Sequence, residues 1–552
     1  MKRLLCSLVV IGLVGSMLTL AMGADPAKQK DSLKKKLGGQ YKRVHQQALD
    51  LITGGRSEKA IEHLNGYIEK FSDDGESQFM LTIAYAQLGE KEKARASMQK
   101  ALDFGLPPAR FVAGPRELLK PIAETDEFRE AAKRVTIVHG PMVGSVTDTS
   151  ARVWVRACCE LRLTLINAGE AKIDKRPGGT PLPETKVTTL KKPTADTDYT
   201  AVLEVSELEP SKEYMFLLAV VDEDDGWSTL KAAVAFRTAA KPGDPTKFKL
   251  AFGGGAGYVP PNERVWNTIR ETRPDLLLML GDNIYSDNPT SPAMQKYCYY
   301  RRQSRPEWRK LTLGTPVYAI WDDHDFGTND CLGGAAIDDP PWKPAVWKVF
   351  TQNWVNPGYG GGEKQPGVWF TFSRGDVDFF MLDCRAYRTS PKLDNPTMLG
   401  AVQLAWLKEE LNKSKGTFKV ICSSVPWDYR TKGSSLDTWN GFQGERDEIF
   451  NHLVDNKIEG VILMSADRHR SDAWKIDRDN GYSLYEFNSS RLTNQHVHGT
   501  MQQAVFSYNQ KQSFGTVEFD TTADDPTVVY KVVTIDGEVV HELPIKRSQL
   551  KH

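Results

Sequence analysis

The chain has 552 residues, 40% of them hydrophobic, and 71 Lys plus Arg against 71 Asp plus Glu, so its formal net charge is zero. That length exceeds one ordinary domain and predicts roughly three, at about 100 to 200 residues each. The charge balance excludes a global field that would recruit nucleic acid or an anionic membrane, no nucleic-acid-binding signature is present, and local clusters must carry the function.

Residues 1–24 open with Lys2 and Arg3, run apolar to about Leu20 and end on small residues, Ala21, Gly23 and Ala24. This is the layout of a secretory signal peptide, with cleavage expected near Gly23 or Ala24. A retained anchor is the competing reading, although the run barely reaches spanning length. No later segment is apolar enough to span, so the expected mature chain is exported, periplasmic or extracellular. Six cysteines follow the cleavage site, too few for a stapling framework in so long a chain. Adjacent Cys158 and Cys159, in a strand-like stretch, are expected on opposite faces, and Cys298 with Cys331 is the expected disulfide.

Residues 32–134 read as helical and carry an internal repeat: Gly55 matches Gly89, Ala60 matches Ala94 and Leu64 matches Met98, each 34 residues apart. That is the tetratricopeptide period, with Gly at the turn and Ala where two helices approach. A peptide-binding groove for a protein partner and a short helical cap or spacer are the two readings, the second favoured because solenoids usually need three or more units. Residues 137–240 switch to short alternating segments such as SARVWVRA and EYMFLLAVV, which predict a β-sandwich. Leu208, Pro210 and Tyr214 in LEPSKEY resemble the tyrosine corner of fibronectin type III domains, and Trp154 resembles their core tryptophan. With no cluster of catalytic residue types, this part reads as a scaffold or an active-site wall.

From residue 246 strands and helices alternate to about residue 470, within a domain expected to run to about 545. KFKLAF, DLLLML, PVYAIW, FKVICS and GVILMS suit strands buried on both faces, whereas NERVWNTIRET, QLAWLKEELNKS and ERDEIFNHLVDN have helical periodicity. A three- or four-layer α/β domain follows, with antiparallel additions and a β-rich finish.

Functional side chains of such domains gather beyond the carboxyl ends of the strands. Those ends read GDNIYSD, WDDHDFGTND, DCRAYR, SSVPW and SADRHRSD. Carboxylates mixed with imidazole suit Ca, Mn, Fe or Zn. Two carboxylates within a few Å do not both stay ionised without a compensating cation, so Asp282, Asp323 and Asp467 brought together imply bound metal. A two-metal centre, with ions about 3.5–4 Å apart bridged by a carboxylate and a water whose pKa falls from ~15.7 toward ~7, supplies a nucleophile and a phosphate clamp. Ordinary readings compete: Asp282 as a helix N-cap, His452 as a structural helix residue, and His496 and His498 as an exposed loop, a rim or an extra ligand pair.

GDNIY at 281–285, WDDHD at 321–325, LDCRAYR at 382–388, LGAVQLAWL at 399–407, SSVPW at 423–427 and ADRH at 466–469 resemble the ordered motifs of the alkaline phosphatase D (PhoD) family. The resemblance runs from about residue 137 to 545 and leaves the helical repeat as an addition. It implies a four-layer αββα core behind the sandwich and hydrolysis of small or polymeric phosphate esters with two or more bound metal ions, calcium and iron in the best-known form. Residue by residue, it implies that Asp282 bridges the metals, that Tyr285 is a phenolate ligand, and that Asp323, Asp467 and His469 are further ligands. His324 would contact phosphate or protonate the leaving oxygen, and Asn283 and Arg385 would hold phosphate, the latter through paired hydrogen bonds. Asp322, Asp325, Asn329 and Asp330 read as supporting or N-capping groups.

One departure stands out. Where the family usually has a cysteine after its first strand, this chain has AFGGGAG, with Gly255 at the cysteine position. The iron-type site therefore lacks its thiolate, and the glycines are expected to let backbone amides approach an anion. The leading expectation is an exported metal-dependent phosphomonoesterase or phosphodiesterase. Its alternatives are a binding or assembly protein with a degenerated phosphatase domain, and a metallohydrolase acting on another ester.

Overall fold

The computed structural model describes residues 41–168, 180–181, 190–221 and 227–552, so the expected signal peptide and the start of the helical segment lie outside the described residues. Among the described residues no helix is long and apolar enough to cross a membrane.

Four helices form two hairpins: α1 (Tyr41–Thr53) with α2 (Ser57–Ile68), and α3 (Gly75–Gln87) with α4 (Lys91–Asp103). Gly55 and Gly89 make the two turns at φ +71° and +74°. Ala60, Ala94, Leu64 and Met98, the residues that recur at the 34-residue spacing, have no exposed surface. Helix α3 starts at Asp74, whose carboxylate accepts the Ser77 N–H at 2.9 Å, an N-cap that satisfies an otherwise orphaned donor. It buries all of its residues but Tyr85 and Gln87, because it lies between the other helices and the α/β domain. There Glu76 pairs with Arg110 at 2.6 Å and accepts the Tyr297 hydroxyl at 2.8 Å.

The sandwich pairs a three-stranded antiparallel sheet (Ile137–Gly144, Ala151–Ala157, Thr200–Val205) with a five-stranded one built on Glu213–Val221 and Trp227–Arg237. Val153 and Val155 point into its core with Leu165, Leu203 and Phe216. Trp154, expected in that core, points the other way: side chains alternate along a strand, and its indole packs into the core of the α/β domain and donates to Gln352 O at 2.9 Å. Tyr214 Oη accepts the N–H of Glu209, five residues earlier, at 2.9 Å.

Two cysteine expectations are corrected. Cys158 and Cys159 lie past the end of their strand, with sulfurs 3.1 Å apart rather than on opposite faces. Cys298 and Cys331 are free thiols, since Cys298 faces the Gln46 amide at 3.6 Å and Cys331 faces Asp323 O at 3.7 Å.

The α/β domain contains two mixed sheets. In the first, Val317–Ile320, Leu276–Leu280 and Lys247–Gly253 run parallel, and Ser513–Asp520, Thr527–Thr534 and Val539–Lys546 continue antiparallel from Lys247–Gly253. In the second, Val377–Met381, Phe418–Cys422, Val461–Ser465 and Leu484–Ser489 run parallel, flanked by Phe370–Arg374 on one side and by Ser471–Ile476 and Phe506–Tyr508 on the other. The sheets meet through aromatic contacts, among them Phe487 stacked on Tyr530 at 4.5 Å and Phe248 against Phe379 at 6.3 Å. With one face of each sheet so occupied, the connecting helices cover the other faces. Val265–Glu271 and Pro306–Thr312 serve the first sheet, and Gly400–Lys413 and Gln443–Asp455 the second. The apolar runs therefore divide between two sheets whose parallel strands end at one shared edge.

Removing Glu76 strands a guanidinium that is only 1% exposed. Glu76→Ala is expected to destabilise the protein by about 3–5 kcal/mol, read as a lower urea midpoint, and Arg110→Met in the same chain should recover part of that loss.

Candidate metal centre

Leu280 and Ile320 are register partners, so the parallel strands deliver GDNIY and WDDHD side by side. From the facing sheet, Val461–Ser465 delivers ADRH to the same edge. A cavity of about 660 Å³ opens there, with Tyr285, Asp323, His324, Asp467 and His469 in its wall. Asp282 lies just beneath, 2% exposed, and accepts the Tyr285 hydroxyl at 2.7 Å. Asp282, Asp323 and His324 offer ligand atoms that all lie within 4.8 Å of one another, as do Asp323, Asp330 and Asp437.

The donor atoms fit metal ions. Asp282 Oδ1 and His469 Nδ1 are buried without a hydrogen-bond partner among the described residues, a costly state unless a cation completes it. Burial above all holds Asp282 well above the usual carboxylate range, with Asp323, Asp322 and Asp325 adding and His324 opposing. Burial likewise moves Asp322 up to about 7. Burial also works against the Asp323 carboxylate, but Arg385 and His324 outweigh it and hold Asp323 below its ordinary value. Burial and then the Asp282 charge raise the Tyr285 phenol well above its usual range, so it is a neutral donor to Asp282 here. All of these donors are oxygen or imidazole nitrogen, the set that suits hard and borderline cations. Asp282, Asp467 and His469 also sit at positive φ, +52°, +64° and +47°; non-glycine residues held there carry local strain of the kind that clusters at functional sites.

His324 is held from behind, its Nδ1 hydrogen-bonded to Asp287, whose other oxygen pairs with Arg43 of α1 at 2.5 Å. Burial disfavours the imidazolium, yet Asp282, the Asp287 hydrogen bond and Asp323 outweigh it and raise His324 to about 10. Its ring stacks on Tyr285 at 4.2 Å. On the same phenol ring sits the Lys42 ammonium of α1, 3.4 Å from the ring centroid. Burial, then the neighbouring Arg43 charge, lowers Lys42 to about 8.

Two expected phosphate holders are placed otherwise. Arg385 has no exposed surface. Its guanidinium is committed to Asp322 at 2.6 Å and to both oxygens of Asp437 at 2.9 and 3.2 Å, which leaves no donor pair for phosphate. Asn283, 2% exposed, donates its amide to Ile320 O at 2.8 Å and to Asp325 at 3.2 Å, tying the two strand ends together. Asp325 also accepts the N–H groups of Asp322, Asn283 and Ile284, a supporting role, while Asn329 and Asp330 line the cavity.

The glycine stretch has two of its amides already committed, the Gly254 N–H to Ser489 O at 3.1 Å and the Ala256 N–H to Asp282 O at 2.8 Å. It is a crossing point of chains. A Cβ on Gly254 would meet Ala466 at 2.7 Å and Gly281 O at 2.9 Å. Gly255, at φ +67°, would bring a Cβ within 2.8 Å of the Arg491 N. The carbonyl of Gly255 in turn accepts the Asn494 N–H at 3.1 Å, and the Asn494 amide donates to Tyr285 Oη at 2.7 Å.

His496 and His498 line the cavity rim, their Nε2 atoms 3.0 Å apart. His452 bonds Asn412 at 3.0 Å on an exposed helix face and takes no part. Lys42, Arg43, Asp287, Lys432, Asp437 and Asn494 were not singled out from the sequence. Asp287 closes the strand end GDNIYSD, and Asn494 stood beside the histidines of LTNQHVHG.

Residues 250–547 match a sequence profile described as PhoD-like phosphatase. "Alkaline phosphatase D" of Bacillus subtilis (strain 168) is 22% identical over 344 residues, 54% of this chain and 57% of that protein. The chain thus spans little more than half the length of this curated relative. A solved structure described as that of PhoD superposes with a TM-score of 0.58 at 16% identity, over 72% of this chain and 91% of the other. Purple acid phosphatase from yellow lupin (Lupinus luteus) seeds gives 0.52 at 11%, over 74% and 75%. At such identities the two structures speak to the shared two-sheet fold.

With a folded value above the ordinary ~6.5, the imidazolium of His324 contributes stability that is complete below pH ~6.5 and is lost as pH rises through about 10. In metal-stripped protein, NMR of the labelled histidines should find one ring titrating near that value. Asp287→Asn should lower it by about 1–2 units; a wild-type ring titrating near 6.5 with no response to Asp287→Asn would remove the dyad.

Proposed function

Since the chain belongs to the PhoD-like phosphatase family, we propose that it is an exported, metal-dependent hydrolase of phosphoric esters working at this cavity. The observation that carries the reading is the convergence of Asp282, Tyr285, Asp323, His324, Asp467 and His469 from both sheets on one edge, with buried donor atoms left unpartnered. Metal ions held by Asp282, Tyr285, Asp323, Asp467 and His469 would supply an activated water and positive charge for the phosphoryl oxygens. Calcium and iron are the candidates by resemblance. With Gly255 in place of the cysteine, a trivalent ion would rest on oxygen and imidazole donors alone.

The chain's own groups have separate tasks. Asp287 fixes His324 through Nδ1, which turns Nε2 toward the substrate as the proton donor to the leaving oxygen. Arg385 and Lys432 keep the surrounding carboxylates in place, Lys432 by pairing with Asp437 at 3.2 Å and Asp467 at 3.4 Å. Residues 1–24 would direct export and be removed.

Purified protein should contain metal by elemental analysis and hydrolyse aryl phosphate esters in a chelator-sensitive way. Metal below about 0.2 equivalents per chain, with no hydrolysis after reloading, would sink the reading, since the fold would then lack the ions the mechanism requires. Asp323→Ala and His469→Ala should each lose metal or activity. His324→Gln should slow an alkyl phosphate by roughly 10²–10⁴-fold and an aryl phosphate much less, because a good leaving group needs little protonation. Equal losses on both substrates would argue against the proton-donor role.

A further inference from the structure

Among the described residues three lysine or arginine side chains line the cavity: Lys42, Arg43 and Lys432. Arg43 is paired with Asp287, and Lys432 with Asp437 and Asp467. Arg385, beneath the floor, is saturated by aspartates. Lys42 has no ion pair or hydrogen bond to a described residue; its ammonium rests on the Tyr285 ring, whose hydroxyl bonds Asp282.

The helix carrying Lys42 is anchored there. From α1, Gln46 donates its amide to Tyr285 O. Asp50 accepts the Asn288 amide at 3.0 Å, and Tyr41 stacks on Tyr258 at 6.2 Å. The lysine is therefore delivered to a wall that also carries Asp323, Asp330 and Asp467.

The geometry points to Lys42 as a substrate-binding residue that recognises the second negative charge of a phosphate monoester, an assignment that rests on the phosphoesterase reading above. A monoester presents a dianion and a diester a monoanion. An uncommitted ammonium in a partly dry site discriminates between them because its attraction scales with the charge it faces. The amino-terminal helices thereby complete the active site, and the preferred substrate class is a phosphate monoester.

The test uses the metal-loaded full chain with p-nitrophenyl phosphate, bis(p-nitrophenyl) phosphate and, for direct binding, inorganic phosphate by calorimetry. In Lys42→Met the ratio of kcat/KM for monoester over diester should fall by roughly tenfold or more, and the Kd for phosphate should rise by a similar factor, at unchanged metal content. Lys42→Arg should keep both within about threefold, as expected if charge rather than shape is read. Equal losses on both esters, or an unchanged ratio and phosphate Kd, would overturn the assignment. If the wild type cleaves neither ester, the phosphoesterase reading falls; weaker phosphate binding by Lys42→Met would then still support the lysine as an anion ligand, and equal or absent binding would overturn it too.

Discussion

A guanidinium without exposed surface, that of Arg385, allows so many carboxylates to share one strand edge. It lies among Asp322, Asp437 and, at 3.9 Å, Asp323, and Arg388 reinforces it by pairing with Asp437 at 2.8 Å. Like charges this close suppress one another's ionisation, so the arginines divide the cluster in two. The rear carboxylates are neutralised within the protein, and the front ones, Asp282 and the open side of Asp323, are left for cations from solution. Buried ion pairs contribute little net stability; here the arrangement makes sense as positioning.

A second constraint acts at the glycines. Gly254 and Gly255 allow Gly281, Ala466 and Arg491 to approach a single backbone segment, which brings the ends of strands from both sheets into contact. A cysteine at 255 would collide with Arg491. The His469 Nδ1 lies 3.5 Å from where that Cβ would be, so imidazole occupies the neighbourhood in which a thiolate was expected.

The strand ends were legible in the sequence because a run buried on both faces is continuous, and charge at its end stands out against it. What periodicity does not encode is the neighbour: strands buried on both faces look alike whichever sheet they join, so the division of five runs between two sheets was hidden. Trp154 was identifiable as buried but not as facing a different core. Arg385 was identifiable as part of a motif, yet its position says nothing of the direction of its guanidinium, and it turned inward. Lys42 and Asp437 carry no local signal, because their meaning arises only from contacts across long stretches of chain.

The strand Ser513–Asp520 lies in the interior of the first sheet, between Lys247–Gly253 and Thr527–Thr534. Until residue 520 has joined, Lys247–Gly253 has an open edge and the glycine crossing has no firm base, while the loop that carries Asn494 to Tyr285 is not held in place. Such long-range pairing forms late in folding. The cavity is therefore assembled from groups as distant as Arg43 and His498, and it exists only in the finished protein. A chain caught partway through folding holds its aspartates dispersed, without the cavity that brings them together.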